Sequence, residues 1–305
     1  MPFLEYLPEW LPGVKFKRTA RLWRETLMRV VEIPYIYVKE QIARRTNEES
    51  YVSRLIGQNE SNLGLEEEHA IKWSAASLYT GGADTTVSSI SSFFLAMSIS
   101  PEVQRKAQEE IDRVVGMSRL PTFSDRENLP YVDAIVKESQ RWHTVGAMGL
   151  PHQTDQDDTY NGYLIPKGAI LLPAVWWFTH DPTTYHDPMA FKPERYFKPY
   201  DEPSPTNVTW GFGRRICPGR ILADASLYLT FAQCLAVFNI GKAVDENGKD
   251  IEPRIEMKAG IISHPVPFKC RITPRSKEHE ELINRVELEH PWRESDSRFL
   301  QGIKM

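Results

Sequence analysis

Trp210-Gly211-Phe212-Gly213-Arg214-Arg215-Ile216-Cys217-Pro218-Gly219 decides how the rest of the chain is read. Gly211, Gly213 and Gly219 surround a single cysteine, and glycine lets backbone take positive φ and approach a flat ligand closely. The thiolate is the reactive, metal-ligating form of cysteine. Two features favour it here: the cations Arg214 and Arg215, and the amino terminus of a helix that begins just after Cys217. Pro218 withholds one N–H, and the following amides of that first turn point toward the sulfur. A plain buried cysteine in a glycine-rich turn is the alternative. It gives no reason for an aromatic, two glycines, two arginines, a cysteine and a glycine at these spacings.

Working outward, the apolar run after this loop predicts a helix from about Gly219 to Phe238, closed by Gly241. Residues 180–209, rich in Pro, Asp and Tyr, read as irregular chain. Upstream, Tyr160-Asn161-Gly162-Tyr163 is a hairpin signal, Pro166-Lys167-Gly168 a turn, and Ala169 to Val175 strand-like. Helices are predicted from Thr19 to about Arg45 and from Glu66 to Ser98. Another runs from the Ser100-Pro101-Glu102 start to near Gly116, and a fourth from Pro130 to Trp142. The stretch Thr46 to Leu65 reads as a short helix and a loop. Residues 251–274 look like a terminal hairpin, and a polar, peripheral tail follows Ser276. The fold class is mainly α with a smaller β-rich part, and no stretch resembles an interdomain linker.

The 305 residues suffice for a substantial core. Thirty-seven basic and 41 acidic side chains leave a net charge of -4, which gives no electrostatic case for nucleic acid or an anionic membrane surface. Three scattered cysteines, Cys217, Cys234 and Cys270, make neither a disulfide framework nor a structural zinc site. No run approaches the roughly 18 apolar residues that span a bilayer, and no signal peptide is evident.

Two further clusters stand out. Gly81-Gly82-Ala83-Asp84-Thr85-Thr86 lies mid-helix, where each glycine costs about 1 kcal/mol relative to alanine. Asp and Thr there compete for backbone hydrogen bonds, so the cluster is expected to weaken and bend the helix. A kink that packs against a neighbouring helix would account for it equally well. Glu138 and Arg141, three residues apart, share a helical face, as do many ordinary exposed ion pairs.

Together these segments resemble the cytochrome P-450 monooxygenases. The loop follows the family's haem-binding pattern Phe-x-x-Gly-x-Arg-x-Cys-x-Gly at every position but the first, where Trp210 replaces phenylalanine. The resemblance implies that Cys217 is the axial ligand of the iron of haem b and that Trp210 shields the sulfur. Gly213 and Gly219 then shape the loop, and Arg215 pairs with a propionate. A thiolate ligand favours O–O cleavage. Residues 81–86 match the oxygen-activating motif, which implies that Thr85 hydrogen-bonds the dioxygen under activation and Asp84 relays protons to it. Glu138-Ser139-Gln140-Arg141 resembles the family's Glu-x-x-Arg element. It is expected to join Arg195 of Pro193-Glu194-Arg195-Tyr196 in a structural network behind the loop. His152 stands where the family carries a propionate-binding side chain; an unpartnered surface histidine is the alternative. Val145 to Leu150 and Ile261-Ile262 fall where substrate-facing loops lie, and Trp176-Trp177 reads as packing.

The resemblance implies the carboxy-terminal portion of that fold, including its oxygen-activating helix and haem-binding loop. It implies that residues 1–305 are a single domain expected to lack that fold's amino-terminal anchor and first helices, with about 284–305 a peripheral tail. The Phe3, Tyr6 and Trp10 group would suit a membrane-touching lid or simple packing. The implied reaction inserts one atom of O2 into an apolar small-molecule substrate. Electrons would come from NADPH through a separate flavin-bearing NADPH-cytochrome reductase, because the chain carries no dinucleotide fingerprint. A full-length form would face the cytosol from the endoplasmic reticulum; this chain alone would be soluble or peripheral, without a transmembrane segment. The competing reading is a truncated, non-catalytic remnant that binds haem weakly or not at all and acts as an interaction module. A cysteine hydrolase built on Cys217 lacks a histidine base and leaves the arginines without a function.

Overall fold

Helices dominate the computed structural model, which describes residues 2–58, 63–300 and 303; the side chain of Phe3 lies outside the described set. The chain divides into two units, Met1–Gly81 with Trp292–Met305, and Gly82–Pro291.

In the first unit, helix α1 (Lys15–Arg44) and helix α2 (Tyr51–Gln58) join the early part of helix α3 (Leu65–Ile99). Tyr35, Val52 and Ile71 form a small buried cluster with Val38, Leu55, Ile56 and Ala75 around it. Ion pairs Lys72–Glu32 at 2.6 Å and Lys39–Glu68 at 2.7 Å rim it. Tyr6 and Trp10 are exposed.

Helix α3 runs unbroken through residues 81–86, so the bend expected there is not a break in the helix. A Cβ built on Gly81 or Gly82 meets nothing within 4 Å among the described residues. Helix α4 (Pro101–Val114) starts on Pro101 with Glu102 in its first turn. Its buried residues Val103, Gln104, Ala107, Glu110 and Ile111 recur at helical spacing and form one face. Helix α5 (Pro130–Trp142) also starts on proline. The buried Glu110 carboxylate accepts the N–H groups of Tyr131 (2.9 Å) and Val132 (3.1 Å), satisfying two donors that a helix start leaves unpaired.

Short strands follow: β1 (His152–Gln153), β2 (Asp158–Tyr160), β3 (Tyr163–Ile165) and β4 (Ile170–Leu171). Tyr160 pairs with Tyr163 across Asn161 (φ 48°) and Gly162 (φ 82°), the two positive φ values that a tight hairpin turn requires. Strand β4 is shorter than the stretch from Ala169 to Val175, because Val175 already begins helix α6 (Val175–His180). Trp176 and Trp177 are half exposed rather than packed inside, with Trp176 stacked on His180 at 4.4 Å. The irregular segment expected over 180–209 is interrupted only by a 3₁₀ turn at Pro193–Tyr196 and by helix α7 (Thr206–Thr209).

Helix α8 (Arg220–Val237) follows the glycine-rich loop. It ends at Val237, within a residue of the expected end, but its cap is Phe238 and not Gly241: Phe238 turns extended and opens strand β5 (Phe238–Val244), with Gly241 inside it. Among the described residues α8 alone is long and apolar enough to cross a membrane, which the sequence reading did not anticipate. Leu227, Tyr228, Phe231, Ala232 and Leu235 bury its later turns in the main core, while Ile221 and Leu222 in its first turn are exposed. Phe231 stacks on Phe93 of α3 with centroids 3.9 Å apart, pinning the two helices.

Strand β6 (Asp250–Ile251) and strand β9 (Cys270–Pro274) flank β5 in a three-stranded antiparallel sheet. Strand β7 (Met257–Lys258) pairs with strand β8 (His264–Pro265). Residues 251–274 are thus not one hairpin: a small hairpin sits inside, and β9 returns to β5 over five paired positions. Gln104 of α4 clamps β5 through both amide atoms, donating to the Ile240 carbonyl at 2.9 Å and accepting its N–H at 2.7 Å. Helix α9 (Lys277–Glu289) occupies the region read as a tail from Ser276. His279 and Leu282 bury its inner face, and Arg275 ahead of it pairs with Asp112 at 2.5 Å.

Candidate active site

The glycine-rich loop closes on itself through its backbone. Cys217 donates its N–H to the Trp210 carbonyl at 2.7 Å, and Arg215 donates to Phe212 at 3.2 Å. Gly211 (φ 81°) and Gly213 (φ 54°) both occupy the left-handed region that the reversal demands. Gly219 is the N-cap of α8. A Cβ added there stands 3.9 Å from the Cys217 sulfur, so a side chain at 219 would grow beside the thiol. Cys217 is partly buried, while Arg214, Arg215, Phe212, Ile221 and Leu222 are exposed around it. Among the described residues no hydrogen bond or ion pair engages the Arg215 guanidinium or the His152 imidazole, which is exposed on β1.

Asp84 and Thr85 lie on α3, Asp84 exposed and Thr85 partly buried. The Asp84 carboxylate has a partner that sequence reading missed: His264 Nε2 lies 3.1 Å from Oδ2. One helical turn further on, Ser88 meets His143 and Ser263 in a buried lock. The Ser88 hydroxyl donates to the Ser263 carbonyl at 2.5 Å. With that proton committed, Ser88 Oγ accepts from His143 Nε2–H at 3.0 Å, and the Ser263 carbonyl lies 3.2 Å from the same nitrogen. Ser263 also donates its N–H to Val145 at 2.8 Å. The loops at 145–150 and 261–264 are thus tied to α3. No neighbouring residue in sequence marks His264 as a partner of Asp84, 180 positions away.

Burial pushes His143 down from 6.5 to about 4, and His180 likewise. Both stay neutral in the folded protein while the unfolded chain protonates near 6.5. Stability is therefore full above pH 6.5 and falls as pH drops toward 4, by about 3 kcal/mol for each histidine. Urea unfolding of wild type between pH 7 and 4.5 is expected to show this decline, and His143→Asn to remove about half of its slope.

The third group is joined most completely. Glu138, Arg141 and Arg195 are fully buried. Arg141 spends all five N–H donors: Nε and Nη2 on the Glu138 carboxylate (2.9 and 2.8 Å), the others on the carbonyls of Thr179, Pro188 and Ala190. Arg195 does the same with Glu138 (3.1 Å), Glu202 (2.5 Å) and the carbonyls of His186, Asp187 and Ala190. Tyr196 donates to Glu138 at 3.0 Å, its hydroxyl held protonated by burial and then by that carboxylate. Two carboxylates balance two guanidiniums. This network fastens α5 to the chain that leads into the cysteine loop.

Among the described residues, no three His, Cys, Asp or Glu side chains gather to hold a bare metal ion. A lone thiol instead suits an iron whose other ligands arrive with an organic ring. Beside Cys217 stand exposed apolar side chains for a flat macrocycle and unengaged arginines for its carboxylates, and no Cβ at Gly219 crowds the sulfur. These residues fit a haem.

Sequence comparison agrees on the class. Residues 1–272 match the cytochrome P450 family. A cytochrome P450 monooxygenase, CLM2, of Gibberella zeae is 51% identical over 99% of this chain and 58% of its own length. Another, claR, of Ampulloclitocybe clavipes is 49% identical over 98% and 56%. The O-methylsterigmatocystin oxidoreductase of Aspergillus flavus is 45% identical over 100% and 58%. The chain belongs to the cytochrome P450 family, and it spans a little over half the length of these curated relatives.

Proposed function

We propose that the protein is a haem-thiolate monooxygenase that transfers one atom of O2 to an apolar organic substrate. The observation that carries this reading is the cysteine loop, with its thiol at the head of a core helix, glycines in left-handed backbone and exposed Arg214 and Arg215 beside it. Haem held there supplies reduction and cleavage of dioxygen and oxidation of a C–H or C=C bond. Cys217 would supply the sulfur that holds the iron, and Trp210 would shield it. Arg215 and His152 take the ring's carboxylates, and Gly213 and Gly219 keep the backbone clear of the ring. Asp84 passes protons inward from its exposed carboxylate, and the Thr85 hydroxyl hands them on. Glu138, Arg141 and Arg195 hold the loop in place and touch no substrate. Electrons come from NADPH through a separate flavin reductase, and the whole protein works at the cytosolic face of the endoplasmic reticulum. The naming of relatives as monooxygenases supports the reaction class.

The test is the reduced, carbon monoxide-bound spectrum of haem-loaded protein. The strongly red-shifted Soret band of thiolate ligation is expected; a spectrum of histidine-bound or free haem would contradict the reading. Thr85→Ala should keep that band and lower product formed per NADPH by roughly tenfold. Unchanged coupling in that variant would remove Thr85 from the proton route.

A further inference from the structure

Asp84 is an exposed aspartate on α3, and an exposed side chain is free to change rotamer. Yet it meets a histidine 180 positions along the chain. The placement of that histidine is not left to an exposed ion pair, which by itself holds little. Ser263, the residue before His264, is held through both its carbonyl and its N–H. Its carbonyl takes the Ser88 hydroxyl at 2.5 Å and lies 3.2 Å from His143 Nε2, and its N–H goes to Val145. After it, His264 pairs with Lys258 in the β7–β8 ladder, and Pro265 is buried. Ser88 stands four residues beyond Asp84 on the same helix, hence one turn away on the same face. The lock thus delivers the imidazole to the turn of α3 that carries Asp84. An ionised carboxylate only accepts, so His264 Nε2 donates.

We propose that His264 is a positioning residue for Asp84: its donated hydrogen bond holds the carboxylate in the orientation from which protons pass to Thr85. The inference rests on the monooxygenase reading and deepens it. His264 touches neither haem nor substrate in this role; it acts through Asp84. With Asp84 released, oxygen reduction loses its ordered proton supply, and electrons leave as hydrogen peroxide instead of as water and oxidised product.

The measured quantity is the share of NADPH electrons recovered as hydrogen peroxide by haem-loaded protein with a microsomal reductase. His264→Ala should raise that share about fivefold, the scale of one lost hydrogen bond, without moving the carbon monoxide Soret band. His264→Gln places an N–H donor at the same reach and should stay within about twofold of wild type. Adding His264→Ala to Asp84→Asn should change nothing further. In the diamagnetic carbon monoxide-bound protein, the His264 ring should carry its proton on Nε2, with a nitrogen shift that moves in Asp84→Asn. A wild-type peroxide share in His264→Ala overturns the proposal, as does a glutamine variant as uncoupled as the alanine variant, or a ring protonated only on Nδ1. A wild-type protein without the thiolate band overturns the monooxygenase reading and this role with it. A normal band with unchanged peroxide overturns this role alone.

Discussion

Glu138→Ala is expected to unfold much of the 82–291 unit at temperatures where wild type is stable. Arg141 and Arg195 are fully buried, and among the described residues Glu138 is the only carboxylate bound to Arg141. Removing it leaves the Arg141 guanidinium facing carbonyls alone, while Arg195 retains Glu202. Breaking a buried ion pair by deleting one partner costs about 3–5 kcal/mol. A total stability of roughly 5–15 kcal/mol leaves little margin, and the expected fall in melting temperature is on the order of 10 °C. Glu138→Gln should be nearly as damaging. Both carboxylate oxygens receive donors only, from Arg141, Lys192, Arg195 and Tyr196, so an amide NH₂ at either position meets another N–H or O–H. Thermal unfolding of the two variants beside wild type checks this. A melting temperature within 2 °C of wild type for Glu138→Ala, about the effect of 1 kcal/mol, would show that the network is dispensable.

Cys217→Ser should abolish the thiolate Soret band and all monooxygenase turnover while leaving the fold intact. The loop is held by the Cys217 N–H to Trp210 and by positive-φ glycines, and neither depends on the sulfur. Serine is close in size, and Cys217 is only partly buried, so packing changes little. The expected outcome separates ligation from folding: unchanged melting, weak haem retention, no red-shifted band and no product. Retained turnover in this variant would remove the sulfur from the chemistry.

Sequence exposed the parts of the molecule whose logic is local. The cysteine loop, the Asn161-Gly162 turn and the proline starts of α4 and α5 each follow from a few neighbouring residues. Gly241 misled because a glycine ends a helix or sits in a strand with equal ease, and five cross-strand pairs with β9 made it a strand residue. The α9 segment read as tail because its buried side is narrow, essentially His279 and Leu282 on an otherwise charged helix. His264 escaped notice for a different reason. Its meaning lies in Asp84, 180 residues away, and in a lock built from Ser88, His143 and Ser263, none of which has a distinctive neighbourhood in sequence. The Glu138 network lay between these cases. Its motif was visible, but the ten guanidinium donors and their carbonyl partners appear only when the irregular chain from 179 to 202 folds around it.

X-ray absorption at the iron edge of haem-loaded wild-type protein tests the central claim most directly. The account predicts one sulfur in the iron's coordination shell, lost in Cys217→Ser. A shell of nitrogen and oxygen alone, with Cys217 open to alkylation in the loaded protein, would contradict it.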